Sequence, residues 1–111
     1  NSVSEFLTNT QNYPTAFFSS NDEMAIGAMK SIQEKGLKIP EDISIVGFDD
    51  IQELKYISPK LTTIRRPMYE LGSYSAHLLL NLIEKKSSNN NLMLDVKLII
   101  RESTDYNKKD V

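Results

Sequence analysis

Two short apolar runs, Thr15-Ala16-Phe17-Phe18-Ser19 and Ile43-Ser44-Ile45-Val46-Gly47-Phe48, flank a segment whose apolar residues recur at a different period, and that alternation restricts the fold more than any other feature. The first run is bounded by turn residues, which suits a strand buried on both faces. The second is rich in β-branched residues, which pack well on a pleated surface. Between them Ala25, Ala28, Met29 and Ile32 share one stripe of a helix of period 3.6. Asn21 is placed to cap that helix, Asp22 and Glu23 fall in the first turn where the dipole favours anions, and Gly36 followed by Leu37 ends it. Pro40-Glu41-Asp42 turns the chain into the second strand. Strand, helix and strand within about thirty residues make a right-handed βαβ unit with parallel strands, so the fold class is α/β.

The rest of the chain extends this pattern. Asp49 to Pro59 reads as a polar loop or short helix, and Leu61-Thr62-Thr63-Ile64-Arg65 as a third strand. Pro67 suits the first position of a new helix, where its missing N–H is no loss. That helix, from Met68 to about Lys85, sets Met68, Leu71, Ser75, Leu78, Leu79 and Leu82 on one face and Glu70, Ser73, His77, Asn81 and Glu84 on the other. The run Leu78-Leu79-Leu80 is expected to pack in a core, because no heptad repeat is sustained. Residues 87–91 read as a surface turn, Leu92 to Leu94 and Lys97 to Arg101 as strand pieces, and Asp105 to Val111 as a frayed tail. The start, without Met and with Ser4-Glu5-Phe6-Leu7 resembling the last turns of a helix, reads as that of a fragment.

Composition narrows the classes further. With 40% hydrophobic and 25% charged residues the chain is an ordinary globular one, and its formal charge of −2 has the wrong sign for a surface that neutralises many phosphates. There is no cysteine, hence no disulfide framework and no thiolate metal site, which fits a reducing cytoplasm. No run approaches the roughly 20 apolar residues of a membrane span.

In an open parallel sheet, ligands bind beyond the carboxyl ends of the strands, where loops and helix N-termini converge. Asn21 follows the first strand, Asp49 the second and Arg66 the third, so all three are expected at one rim. An amide, a carboxylate and a guanidinium suit a polyhydroxylated ligand. Charge-assisted hydrogen bonds contribute about 1.5–3 kcal/mol each, so three supply much of the roughly 8 kcal/mol of a micromolar complex. Each residue also has a plainer role: Asn21 as a helix cap, Asp49 with Asp50 as a solvated turn, Arg66 as a surface charge beside Pro67. Paired acids at a strand end occur in phosphoryl-transfer and metal sites too, but a glycine-rich phosphate loop and a nucleophile elbow are missing, and His77, the single histidine, lies on a polar helix face. No enzyme, cofactor or metal site is expected.

Three ordered motifs carry a more specific signal: Phe18-Ser-Ser-Asn-Asp-Glu-Met-Ala-Ile-Gly-Ala-Met-Lys, then Gly36-Leu-Lys-Ile-Pro-Glu-Asp-Ile-Ser-Ile-Val-Gly-Phe-Asp-Asp-Ile, then Pro59-Lys-Leu-Thr-Thr-Ile-Arg-Arg-Pro. Together with Leu98-Ile-Ile-Arg-Glu-Ser-Thr they closely resemble the LacI/GalR family of bacterial transcription regulators, from about Pro14 to Thr104. The resemblance implies a periplasmic-binding-protein-like (type I) effector domain, of which residues 1–111 are a C-terminal part, with the DNA-binding helix-turn-helix outside this chain. It implies a small-molecule effector, in keeping with a sugar, contacted by Asn21 and Asp49 and less surely by Arg66. It implies a cytoplasmic homodimer that reaches DNA only through the absent module. Dimerisation in the family maps to Ile26, Met29 and Lys30 and to Leu54 and Tyr56; Met29 can equally be core and Tyr56 an ordinary loop aromatic. A transport-associated sugar-binding protein of the same fold is the alternative. A half-built sheet also leaves open edges, so self-association is expected.

Overall fold

The computed structural model describes residues 2–86 and 91–107. Its elements are α1 (Ser2–Asn9), β1 (Ala16–Phe18), α2 (Asp22–Glu34), β2 (Ser44–Asp49), β3 (Thr62–Arg65), α3 (Met68–Ile83) and β4 (Lys97–Ile99), with a 3-10 turn over Gln52–Tyr56 between β2 and β3. The strands form one sheet in the order β1-β2-β3-β4, and β1 with β2, and β2 with β3, run parallel. The chain divides into two compact units, Asn1–Arg65 with Leu98–Val111, and Arg66–Lys97.

In the first unit α2 forms where the periodicity predicts it. Asn21 caps it, and beyond the C-cap Lys35 the chain turns at Gly36 with φ +76°, a left-handed conformation that glycine adopts without a Cβ penalty. There the Gly36 N–H bonds to Gln33 O at 2.9 Å and the Leu37 N–H to Ile32 O at 3.2 Å, the paired bonds of a Schellman end. The predicted stripe Ala25, Ala28, Met29 and Ile32 is buried against Ile43, Ile45 and Leu61, joined by Leu7, Ile39 and Leu54. Burying each large aliphatic side chain contributes about 1.5–3 kcal/mol. Ser4 to Leu7 is helical as expected, and its Leu7 enters this core.

Two expectations for this unit change. Ala16–Phe18 is a strand but is not buried on both faces, and Phe18 is 68% exposed, because β1 is the outermost strand and only β2 flanks it. The tail is tied down at its start: Ser44 Oγ donates to Asp105 O and accepts from Asp105 N–H, both at 3.2 Å. Residues 108–111 of the expected frayed tail lie outside the described residues.

In the second unit α3 begins at Met68 as predicted, with Pro67 at the cap position rather than the first helical one. It ends at Ile83, with Lys85 in a left-handed conformation. No residue of α3 is buried, so the leucine run is not core here: Leu79 and Leu80 are more than half exposed. An amphipathic stripe specifies a face that can be covered, and none of the described residues of this unit covers it. His77 is exposed, as its place on the polar face predicts. Leu92 to Leu94 is not a strand, and of Lys97 to Arg101 only Lys97–Ile99 is. Residues 87–90 of the expected surface turn lie outside the described residues.

Candidate functional site

Of the expected residues, Asp49 ends β2, while Asn21 follows the carboxyl end of β1 and Arg66 follows that of β3. Phe18, the last residue of β1, pairs with Val46, and the chain then passes to Asn21, the cap of α2; Asp49, the last residue of β2, pairs with Arg65, the last residue of β3. The Asn21 side chain is a cap: its Oδ1 accepts the Met24 N–H at 2.8 Å. This uses only the carbonyl half of the amide, and the nitrogen with its two N–H donors is the half a ligand can take. Asp49 is half-buried, with φ +122°, and Asp50 follows at φ +59°. Two successive non-glycine residues in left-handed backbone mark a constrained strand end. Arg66 directly follows Arg65 and is the first residue of the second unit.

The sequence reading missed the residues that hold this edge together. Asp22, singled out in sequence only as an anion in the first turn of α2, is fully buried. Its Oδ1 accepts the Thr63 hydroxyl at 2.6 Å and its Oδ2 the Ile51 N–H at 3.0 Å, so one carboxylate joins α2 to β3 and to the loop leaving β2. It crosses β2 above Gly47, where a Cβ would collide with Asp22 Oδ1 and lie 2.9 Å from Leu61 Cδ2. A glycine inside a strand is the signal that could have found this crossing.

Asp50 is likewise no solvated turn residue. Its Oδ2 accepts Arg65 Nε–H at 2.6 Å and its Oδ1 accepts from the Arg101 guanidinium at 2.7 Å, with the Asp50 side chain 11% exposed. Burial pushes its carboxyl up, but the hydrogen bonds from Arg101 and Arg65 and the charges of the two guanidinia together outweigh that and hold it below the ordinary value. Arg101 is itself fixed, donating from its guanidinium to Leu61 O at 3.0 Å and from its backbone to Thr62 Oγ1 at 2.9 Å. The buried Ser103 completes the stitching: Oγ donates to Ile45 O at 2.6 Å and accepts the Thr62 N–H at 2.8 Å. A hollow of about 450 Å³ opens here, lined by Asp50, Ile51, Gln52, Leu54, Lys55, Lys60, Arg65 and Arg101. A second, of about 590 Å³, lies beside the start of α2 and is lined among others by Phe17, Phe18, Ser19, Ser20 and Met24. Asn21 and Asp49 line neither.

Of the residues expected at a dimer interface, Ile26, Met29 and Lys30 meet Gln33, Ile57 and Ser58 around a hollow of about 200 Å³ on the outer side of α2. Met29 and Leu54 are 3% and 4% exposed and belong to the core. Their apolar side chains complete the α2 stripe and the underside of the 3-10 turn. Ile26 is half-buried, and Lys30 and Tyr56 are exposed. Among the described residues no group of three or more His, Asp or Glu is placed to hold a metal, and no helix is long and apolar enough to cross a membrane.

A family model described as a periplasmic binding protein-like domain matches residues 2–104. The chain belongs to that family. Its relatives within the family are LacI-type regulators. It is 44% identical over 100 residues to the probable HTH-type transcriptional repressor ExuR of Bacillus subtilis, an alignment covering 89% of this chain and 30% of that protein. Its fold superposes on the Lac repressor dimer bound to operator and anti-inducer with a TM-score of 0.85 and 38% identity, over 93% of this chain and 36% of that one. A LacI family transcriptional regulator from Enterococcus faecium with bound ribose matches with a TM-score of 0.80 and 40% identity, over 93% of this chain and 38% of that one. The chain thus spans about a third of the length of these relatives. Each of them is a transcription regulator by name, so a transport role for the periplasmic-binding-protein-like fold is not favoured here.

Proposed function

We propose that residues 1–111 are the C-terminal part of the effector-binding domain of a LacI/GalR-type transcription regulator, and that a sugar or related polyhydroxylated molecule is held at the rim bearing Asn21 and Asp49. The observation that carries this reading is that both residues follow or end neighbouring parallel strands at their carboxyl ends, Asn21 as the cap after β1 and Asp49 as the last residue of β2, in left-handed backbone. Such backbone costs of order 1–3 kcal/mol per residue and recurs at ligand sites that the surrounding structure over-determines. The Asp49 carboxylate accepts from sugar hydroxyls while the Asn21 amide nitrogen donates to one. Arg66 stays a candidate on sequence grounds alone. The ribose in the Enterococcus faecium regulator supports the ligand class.

The regulator works as a cytoplasmic homodimer, with Ile26, Lys30 and Tyr56 on the exposed part of the interface and Met29 and Leu54 supporting it from the core. Its helix-turn-helix lies outside this chain. The effector shifts the balance between two arrangements of the binding domain only by its differential affinity for them, and that shift changes how the dimer presents its DNA-binding modules. The test is operator release by the full-length regulator, using a sugar that releases the unmodified protein. Asp49→Ala folds normally by circular dichroism but raises the sugar concentration needed at least tenfold, the loss expected from about 1.5–3 kcal/mol of charge-assisted hydrogen bonding. Release at an unchanged concentration would sink the site assignment.

A further inference from the structure

We propose that Asp50 is a positioning residue that ties both chain connections between the two compact units to the strand end carrying Asp49. Arg65 is the last residue of the first unit before the chain passes to Arg66, and the chain returns at Leu98, three residues before Arg101. The Asp50 carboxylate takes one of these connections on each oxygen, Arg65 on Oδ2 at 2.6 Å and Arg101 on Oδ1 at 2.7 Å. Both bonds are short and charge-assisted, and they converge on a side chain only 11% exposed. They differ in kind from the Lys30–Glu34 and Lys86–Glu84 pairs, whose side chains are at least half exposed and which contribute little.

Position gives the clamp its meaning. Asp49 and Asp50 are consecutive residues in left-handed backbone, at φ +122° and +59°, so a backbone adjustment at Asp49 moves the carboxylate of Asp50 with it. On the sensing role proposed above, on which this consequence rests, a ligand drawn to Asp49 acts on both connections through one side chain.

Hydrogen exchange of the whole chain without ligand tests the clamp, using the amides of 62–65 and 101–103 with those of 25–32 in α2 as the control. Asp50→Asn speeds exchange in both connecting segments about tenfold or more, the effect of losing charge-assisted hydrogen bonds, and leaves α2 unchanged. Arg65→Gln, at a side chain that is already half exposed and safe for folding, speeds exchange in 62–65 alone. Wild-type rates in either segment of Asp50→Asn, an equal rise across α2, or no rise in 62–65 of Arg65→Gln would overturn the proposal. Because no sugar is added, failure of the clamp leaves the sensing role standing, and failure of the sensing role leaves the clamp measurable.

Discussion

Gly47 lies in the middle of β2, and the Asp22 carboxylate occupies the space that its Cβ would take. Gly47→Ala therefore forces Asp22 off Thr63 and Ile51 or shifts Leu61, and overpacking of this kind costs about 1–3 kcal/mol. A urea titration reads it as a lower midpoint; an unchanged midpoint would show that the crossing yields easily. Asp50 sets a limit in pH. Its folded pKa lies below the ordinary 3.8, so its contribution to stability is present in full above that value and is lost as pH falls through the lower folded value. Acid titration of stability should show a drop below pH 3.8 that Asp50→Asn flattens, and superimposable profiles would contradict the ion pairs. At this scale Asn21 as a cap and Asp49 at a strand end were legible, since both follow from local pattern. It hid Asp22, Asp50 and Arg101, because their roles depend on partners 15 to 51 residues away in the chain, which no local pattern names.

Among the elements, α2 was the most legible, because the cap, the period and the Gly36 ending all agree. Its cap also separates two roles of one residue. Asn21→Ala removes the bond to Met24 and lowers stability by about 1 kcal/mol, whereas Asn21→Ser keeps a capping oxygen and stability while losing the amide donor. Thermal melts and sugar titration on the two variants decide: if Asn21→Ser binds sugar as the unmodified residue does, Asn21 is a cap and nothing more. The strands were found by composition, but their burial was not, since β1 has the apolar run of an inner strand and the position of an outer one. Leu92 to Leu94 is also apolar but lies outside the four-stranded sheet, since apolar character alone does not supply a ladder partner.

For the whole molecule, the α/β class and the parallel order of β1, β2 and β3 could be read in advance, because a strand, helix and strand of this length have one favoured connection. The division at Arg66 could not, since Arg65-Arg66-Pro67 looks like any strand end passing to a helix. The proposed site centres on Asn21 and Asp49, at strand ends beside the buried Asp22 and the Asp50 ion pairs. Calorimetric titration of the full-length regulator with ribose and a panel of related pentoses, hexoses and disaccharides, comparing the unmodified protein with Asp49→Asn, addresses that pair most directly. Saturable binding of at least one sugar, weakened about tenfold or more by Asp49→Asn at unchanged thermal stability, is the predicted result; equal affinity in the two proteins, or no heat from any sugar, would contradict it.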